Sequence, residues 1–286
     1  MPASLSHQPG ATSPVTESPA AYRFQPGDAP LLISIPHLGT EIPPAILATM
    51  TAEATIKADT DWHVDRLYDF APALGVSLLS ARWSRYVIDL NRDPDNLPLY
   101  AGANNTELCP TSTFDEAPLY PPGGQPDAAE IARRREAFWR PYHQRLETEL
   151  KRLVARHGVC VLWEAHSIRS VVPRFFQGRL PDLNFGTANG ASAAPDLMDR
   201  VATVAAGQGT YSHVVNGRFK GGYIPRAYGK PAEGVHAIQL EKAQVAYMDE
   251  TPPFAWRPER ADKLKALLRP LIETALGWAS ERARRA

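Results

Sequence analysis

Short runs of apolar residues, each ended by a proline, a glycine or a polar residue, recur along the chain and predict buried β-strands. The first run, Leu31–Ile35, is ended by Pro36. Further runs, which predict four more strands, lie at residues 76–79, 86–90, 159–163 and 235–240. Continuous apolar strands of this kind are typical of sheets that are covered on both faces.

Between these runs, apolar residues recur at spacings of three and four and predict amphipathic helices. The helical segments are residues 62–74, 127–156, 197–206 and 258–284. Pro141 predicts a kink in the second of them, because proline lacks a backbone donor and crowds the preceding turn. The alternation of strands and helices predicts an α/β fold with a mixed, largely parallel sheet that is flanked by helices.

Two stretches of the chain differ in composition from the rest. Residues 1–24 are rich in Ser, Pro, Ala and Thr and contain few large apolar side chains, so burial cannot offset the loss of conformational entropy on ordering. We therefore predict a flexible N-terminal tail over residues 1–24 and a single domain over residues 25–286. Several of the 27 prolines lie between residues 94 and 126. A long loop there is expected to be functional, and whether residues 93–126 form a lid is left open.

The composition excludes several classes of protein. The 286 residues include 31 basic and 31 acidic side chains, and this balance gives no electrostatic reason to expect a nucleic acid or an anionic membrane as partner. With only Cys109 and Cys160, a disulfide framework is excluded and a reducing compartment is favoured. No apolar run approaches the roughly 18 residues of a membrane span, and no secretory leader is visible. We expect a cytoplasmic protein and leave its oligomeric state open.

Four of the predicted strands lead into residues that are able to take part in catalysis. In open α/β sheets, ligands bind beyond the carboxyl ends of the strands, so side chains that follow different strands are expected to converge. One such strand end would mean little, but four together indicate a site. In chain order, the candidates are His37, Asn91, Arg92, Glu164, His166 and Glu241.

Two of these candidates, His37 and His166, indicate a metal site. Neutral imidazole is the commonest metal ligand, and hydrolytic zinc sites have three protein ligands and an open position for water. We predict that both histidines bind one divalent ion, with zinc as the expected metal and a carboxylate as the third ligand. Asp61 is the preferred carboxylate, although its position before a predicted helix also suits an N-cap. The alternatives that remain open are Glu41, Asp59, Asp65 and Glu164.

The remaining candidates suit proton transfer and substrate binding. Glu241 is the preferred general base, because a carboxylate beside an activated water can take its proton and pass it to a leaving amine. Arg92, with Asn91 beside it, suits a substrate carboxylate, although an ion pair with a nearby aspartate is an alternative role. A second basic group contains Arg169 and Arg218. A small dicarboxylate substrate would explain two separate arginine groups.

Seven segments after the predicted tail are familiar from one enzyme family. They are residues 34–43, 59–68, 84–92, 165–170, 180–187, 216–223 and 239–241. In these segments the chain resembles the N-formylglutamate amidohydrolases, and the resemblance extends from about residue 30 to the C-terminal helix. It implies a hydrolase that acts on a linear amide C–N bond, converting N-formyl-L-glutamate to formate and L-glutamate in histidine degradation. It also implies a divalent metal cofactor.

The family in turn is similar to the zinc carboxypeptidases, which implies a phosphorylase/hydrolase-like fold. The Asn91–Arg92 pair resembles the carboxylate binder of that wider group. His166 resembles its third metal ligand, and Glu241 resembles its general base, in the same chain order. The resemblance therefore implies the roles that the residue types themselves suggest.

Two positions depart from the patterns of these relatives. The peptidases bind zinc through a His-x-x-Glu motif, whereas here Thr40 occupies the place of the glutamate after His37. The second protein ligand must therefore come from another segment, which is why Asp61 is considered. Glu164 stands where relatives tend to carry Asp. A deacylase or carboxypeptidase-like hydrolase for another N-acyl amino acid, and a non-catalytic carboxylate-binding homologue, remain alternative functions.

Overall fold

Seven strands form one mixed sheet in the computed structural model of the protein, which describes residues 20–99 and 104–283. The strands are β1 (Tyr22–Gln25), β2 (Leu31–Ile35), β3 (Ser77–Ala81), β4 (Cys160–Ile168), β5 (Leu183–Gly186), β6 (His213–Val215) and β7 (Val235–Ala243). Their order is β1-β3-β2-β4-β7-β5-β6. The β1–β3 and β5–β7 pairs are antiparallel, and the other four pairs are parallel. The predicted mixed, largely parallel sheet is confirmed.

Helices lie on both faces of this sheet. They are α1 (Pro44–Leu47), α2 (Glu53–Ile56), α3 (Val64–Leu67), α4 (Ala128–Arg134), α5 (Arg140–His157), α6 (Pro195–Ala206), α7 (Tyr223–Tyr228) and α8 (Pro258–Ala283), with short 3₁₀ turns at Ala71–Leu74, Ala188–Gly190, Pro231–Glu233 and Gln244–Ala246. No helix of the described ranges combines the length and the apolar composition that crossing a membrane requires.

Alternate residues of the central strands pack into two different hydrophobic cores. Leu31 and Ile33 of β2 belong to a core that also contains buried residues of α3, α6 and α8. Leu32 of β2 and Leu162 of β4 belong to a second core, which contains the apolar face of α5. Because successive side chains of a strand point to opposite faces, a strand that is covered on both sides must be apolar throughout. This explains the continuous apolar runs in the sequence.

The predicted strand at residues 86–90 is wrong, because this segment forms buried turns instead. Val87 N–H donates to the Ser84 carbonyl, and Asp89 N–H donates to the carbonyl of Leu108. The Asp89 side chain also accepts a hydrogen bond from the backbone N–H of Asn91 (2.9 Å). An apolar run indicates burial but does not by itself distinguish a strand from another buried conformation.

The long helix predicted for residues 127–156 is divided into three parts. A π-helical turn, Arg135–Trp139, separates α4 from α5. Pro141 is the second residue of α5, which continues directly from this turn, so the irregularity expected at the proline is a widened turn just before it. The helix predicted for residues 62–74 is likewise reduced to α3 and the 3₁₀ turn Ala71–Leu74.

Three strands, β1, β5 and β6, were not predicted from the sequence. Strand β1 includes residues 22–24, which the tail prediction covered, and Tyr22 and Phe24 pack against the second core. The last residues of that segment therefore belong to the sheet, whereas residues 1–19 lie outside the described residues. Strands as short as these three contain too few residues to show a clear alternation of apolar and polar positions.

Candidate functional site

The candidate catalytic residues converge at the carboxyl-terminal side of the central parallel strands. His37 lies two residues after the end of β2, whereas His166 and Glu241 lie inside β4 and β7, which extend further than predicted. His166 and Glu241 are paired in register on these neighbouring strands, so both side chains point to the same face of the sheet. The convergence expected from the strand ends therefore occurs.

His37, Asp61 and His166 form a buried group that could hold a metal ion. Each residue offers one ligand atom, and these atoms all lie within 4.8 Å of one another. Asp61 Oδ2 lies 3.1 Å from His166 Nδ1 and 3.7 Å from His37 Nδ1. The backbone N–H of Asp61 donates to the His37 carbonyl (3.0 Å), which ties the two segments together. Asp61 does not cap α3, since the N-cap residue of that helix is His63.

The other carboxylates considered as third ligand have different surroundings. Asp59 Oδ2 accepts a hydrogen bond from the Tyr86 hydroxyl (2.9 Å). Glu41 accepts one from Arg82 Nε (2.9 Å), and Asp65 is exposed. Glu164 lies on the far side of the His166 ring, beside Nε2 rather than Nδ1. Of these acids, Asp61 alone belongs to the group with both histidines in the part of the chain that the structure describes.

The donor set at His37 fits a metal ion. Burial, together with the nearby charge of Arg85, lowers the pKa of His37 to about 4, so the ring is neutral at pH 7. Its Nε2 lies 2.7 Å from Asp89 Oδ1, and Asp89 Oδ2 in turn accepts a hydrogen bond from Arg85 (2.6 Å). A carboxylate that accepts from one ring nitrogen directs the lone pair of the other nitrogen toward the metal position. His37 Nδ1 therefore lies toward Asp61 (3.7 Å from Oδ2) with a lone pair available for a cation.

His166 is protonated in the absence of a cation. Burial opposes its charge, but Glu164 and Asp61 raise the pKa of His166 to about 10. The Oδ1 atom of Asp61, which is buried, has no hydrogen-bond partner among the described residues. A divalent cation would supply that partner and would displace the proton from His166, as metal binding to protonated ligands generally does. The residues present therefore fit a metal ion.

Glu241 lies in the wall of the same cavity as these three residues. Its side chain is buried, and burial raises its pKa to about 7, although His166 opposes this shift. An acid with a pKa near the working pH is able both to accept and to release a proton. The position and the environment of Glu241 therefore suit general acid–base chemistry.

The cavity offers a volume of about 80 Å³ to water-sized molecules and is lined by charged groups of both signs. Arg92 and Arg218 lie in its wall, whereas Arg169 is not part of the lining formed by the described residues. Arg169 instead forms an ion pair with Asp115 (2.8 Å). Of the two arginines predicted to form a second carboxylate-binding group, Arg218 lies at the cavity and Arg169 does not line it.

Arg85 is a cavity-lining residue that sequence reasoning missed. Arg85 is 6% exposed. Its guanidinium donates hydrogen bonds to Asp89 Oδ2 (2.6 Å) and to the Asp59 carbonyl (3.3 Å). The available signal was its spacing of four residues from Asp89, which allows an ion pair. On a predicted strand, a spacing of four residues also places both side chains on the same face, so this spacing does not by itself indicate a turn.

Helix α5 and the π-helical turn hold the backbone on both sides of Asn91. His143 Nε2 lies 2.9 Å from the Leu90 carbonyl, and Trp139 Nε1 donates to the Arg92 carbonyl (3.2 Å). Burial lowers the pKa of His143 to about 3, so this ring is neutral and donates from Nε2. The widened turn thus has a structural consequence at the site, because it places Trp139 against the Asn91–Arg92 segment.

The Asn91 side chain is fixed between two elements of the site. Its Oδ1 accepts a hydrogen bond from the backbone N–H of Ile224 (2.8 Å), and its Nδ2 lies 3.1 Å from His166 Nε2. Gly222 packs directly against this amide, and a Cβ added there would lie 2.2 Å from Asn91 Nδ2. The absence of a side chain at Gly222 is therefore required by the position of Asn91.

We expect Gly222→Ala to lower kcat/KM about tenfold or more, because the added methyl group would displace the Asn91 amide. Loss of one hydrogen bond of Asn91, worth about 1–2 kcal/mol in the transition state, has an effect of this size. Backbone strain is not the cause, since the φ of Gly222 is −78°. Steady-state kinetics and thermal melting would measure the effect. Gly277→Ala is the matched control, because nothing lies within 4 Å of the added Cβ. Equal activity of both variants would contradict the steric argument.

Comparisons with known proteins agree with the family resemblance of the sequence. Residues 29–248 match the family model described as N-formylglutamate amidohydrolase. N-formylglutamate deformylase from Pseudomonas aeruginosa is 52% identical over 259 residues, which cover 91% of this chain and 97% of the relative. The enzyme of the same name from Pseudomonas putida is 49% identical over 262 residues, which cover 92% of this chain and 98% of the relative.

Solved structures show the same fold. The crystal structure of N-formylglutamate amidohydrolase from Ralstonia eutropha JMP134 superposes with a TM-score of 0.77 at 27% identity, covering 93% of this chain and 100% of that one. A gene product of Agrobacterium tumefaciens, with a TM-score of 0.69 and 20% identity, covers 90% of this chain and 95% of its own and supports the fold alone. With a matching family model over most of its length and relatives about half identical, the chain belongs to the N-formylglutamate amidohydrolase family.

Proposed function

We propose that this protein is a metal-dependent hydrolase that converts N-formyl-L-glutamate and water to formate and L-glutamate. Relatives that are about half identical over nearly their whole length are named for this activity, which supports the choice of substrate. The observation that carries the chemistry is one cavity lined by two imidazoles, the carboxylate of Asp61 and the carboxyl group of Glu241. We assign the reaction to histidine degradation, as the family resemblance of the sequence implies.

One divalent ion, with zinc as the expected metal, would be held by His37, Asp61 and His166. When bound, it would polarise the formyl oxygen and favour the ionisation of a water molecule. His37 contributes Nδ1, because its Nε2 contacts Asp89. His166 also contributes Nδ1, which faces Asp61. The Nδ1 atoms of the two rings lie 3.7 Å and 3.1 Å from the same Asp61 oxygen, so both nitrogens border one position.

Glu241 carries the proton through the reaction. It takes a proton from the water that attacks the formyl carbon, and it then gives this proton to the α-nitrogen as the C–N bond breaks. The products are formate and an amine, and the carboxyl group returns to its starting state. Its raised pKa of about 7, caused by burial, suits both steps.

Two arginines in the cavity wall suit a dicarboxylate substrate. The α-carboxylate is close in the substrate to the scissile nitrogen, and Arg92 follows Asn91, whose Nδ2 lies 3.1 Å from His166. We therefore assign the α-carboxylate to Arg92 and Asn91. Arg218 also lines the cavity, and its Nε donates to the Phe175 carbonyl. We assign the side-chain carboxylate of the substrate to Arg218. Guanidinium groups bind carboxylates through two parallel hydrogen bonds.

Arg218→Gln is expected to lower kcat/KM for N-formylglutamate by about 10²-fold, mainly through KM, because a charged partner of a substrate carboxylate is lost. N-formylglutamine, which lacks the side-chain charge, should be turned over about equally by the wild type and the variant. Kinetics with both substrates would measure the difference. Arg169→Gln is the control, since Arg169 pairs with Asp115 outside the cavity lining. Equal losses with both substrates would assign Arg218 to another role.

The overall proposal is tested by metal analysis of the purified protein together with formate release from N-formylglutamate, N-acetylglutamate and N-formylaspartate. We expect one equivalent of metal and the highest kcat/KM for N-formylglutamate. Faster turnover of the acetyl or aspartyl compound would favour a deacylase of different selectivity. Binding of the substrate without release of formate would favour a non-catalytic carboxylate-binding protein.

A further inference from the structure

Glu164 is a buried acid beside the metal-binding group that the reaction described above does not use. It lies on β4 two residues before His166, so the two side chains point to the same face of the sheet, and it is 0% exposed. Its Oε1 lies 3.1 Å from His166 Nε2. Neither carboxylate oxygen has a hydrogen-bond partner of regular geometry among the described residues. A buried acid placed against a ring nitrogen of the metal-binding group calls for a specific role.

The two groups next to His166 Nε2 require opposite states of this nitrogen. Asn91 Nδ2, at 3.1 Å, is a donor and would need a lone pair on Nε2. Glu164 Oε1, also at 3.1 Å, is an acceptor and would need a hydrogen on Nε2. Asn91 cannot exchange its oxygen for its nitrogen here, because its Oδ1 already accepts the Ile224 N–H (2.8 Å). Between these two neighbours, Glu164 is the one able to accept a hydrogen bond from the ring.

The choice between these states determines whether His166 is able to bind a cation. With its hydrogen on Nδ1, the neutral ring would donate to Asp61 and would have no lone pair for a metal. With its hydrogen on Nε2, it presents Nδ1 toward Asp61 and His37. At His37 the same task is performed by Asp89, whose Oδ1 lies 2.7 Å from Nε2. Each histidine of the group thus has a carboxylate beside its Nε2 atom.

We infer that Glu164 is a positioning residue that accepts the Nε2 hydrogen of His166 and thereby presents Nδ1 as a metal ligand. The inference rests on the proposed metal site. Removing such an acceptor generally lowers metal affinity, although the acceptor does not touch the ion. Glu164 acts in this way through His166 and has no contact of its own with the substrate.

The test compares zinc binding by the wild type, Glu164→Gln and Glu164→Met, measured by competition with a chromogenic chelator. We expect Glu164→Met to bind zinc about 10–100-fold more weakly. Glu164→Gln should lose less affinity, because its amide oxygen is still able to accept from Nε2. The metal-free Met variant should be less stable to heat than the metal-free wild type at neutral pH, because Glu164 no longer offsets the buried charge of His166. Zinc affinity is therefore compared at a temperature at which both proteins are folded.

Ser34→Ala is the matched control. Ser34 is the β2 neighbour of Glu164 in the sheet register and is also fully buried, but it pairs with the Tyr142 hydroxyl (2.9 Å). Its zinc affinity should equal that of the wild type. Wild-type affinity in Glu164→Met would overturn the role of Glu164, whereas a wild type that binds no zinc would overturn the proposed metal site itself.

A measurement on the wild type keeps the inference testable if the Met variant does not fold. Nitrogen-15 NMR of the histidine rings in the zinc-loaded protein should show His166 with its hydrogen on Nε2 and without one on Nδ1. A metal-free reference identifies the change on binding. A His166 ring bound through Nε2, or one that carries a hydrogen on Nδ1 in the zinc-loaded protein, would contradict the inference.

Discussion

Glu241→Gln is expected to retain the metal and to lose about 10²–10⁴-fold in kcat, which is the usual contribution of a general acid–base. Glutamine has nearly the same volume as glutamate, so the packing inside β7 is preserved. It is unable, however, to take a proton from the attacking water or to give one to the leaving nitrogen. Formate release under saturating substrate, together with metal analysis, would measure both parts of this expectation.

A control variant and the metal content distinguish this outcome from a general loss of structure. Glu233→Gln is a suitable control, because Glu233 is exposed just before β7 and should tolerate the change without effect on kcat. Near-normal turnover of Glu241→Gln would remove Glu241 from the mechanism. Loss of metal together with turnover would instead make Glu241 a ligand, which its position opposite His166 in the sheet register allows.

The convergence of the two histidines could be predicted because the central strands could be predicted. Runs such as Leu31–Ile35 are apolar at every position, which in an α/β pattern indicates a strand covered on both faces. The carboxyl ends of parallel strands lie at one edge of a sheet, so the sequence alone indicates that His37 and His166 meet. The same reasoning applied to Glu241, which pairs in register with His166.

The segment from Arg85 to Arg92 was not predictable in the same way. Its apolar residues are buried, as a strand would require, but its conformation depends on hydrogen bonds with distant segments. Asp89 N–H donates to the Leu108 carbonyl, and Trp139 of the π-helical turn donates to the Arg92 carbonyl. Local sequence contains no sign of partners that lie about 20 or 50 residues away. The role of Arg85 as a cavity-lining residue was missed for this reason.

The third member of the metal-binding group also depended on the fold. Asp59, Asp61 and Asp65 lie within seven residues of one another, and their spacing does not show which of them reaches the histidines. The backbone hydrogen bond from Asp61 to the His37 carbonyl decides the matter, because it brings this part of the loop next to β2. Asp59 is drawn instead to Tyr86, and Asp65 is exposed.

Asp61→Asn is expected to bind zinc at least about 100-fold more weakly than the wild type and to lose turnover in proportion at limiting zinc. The amide has the size of the carboxylate but not its charge, and only the two imidazoles then remain as strong ligands. The neutral amide also no longer offsets the charge of His166, whose pKa is raised by Glu164 and by Asp61 itself. Zinc content after dialysis and activity as a function of added zinc would measure the loss.

Asp65→Asn is the matched control for this experiment, since it makes the same chemical change four residues further on at an exposed position. It should retain one equivalent of zinc and full activity. If Asp61→Asn retained zinc as well as Asp65→Asn does, the third ligand would have to be a different acid, and Glu241, which lines the same cavity, would be the first to examine. Recovery of full turnover by Asp61→Asn at saturating zinc would mean that Asp61 contributes to zinc affinity but not to the catalytic step. Persistent loss would mean that its charge also contributes to the chemistry beside Glu241.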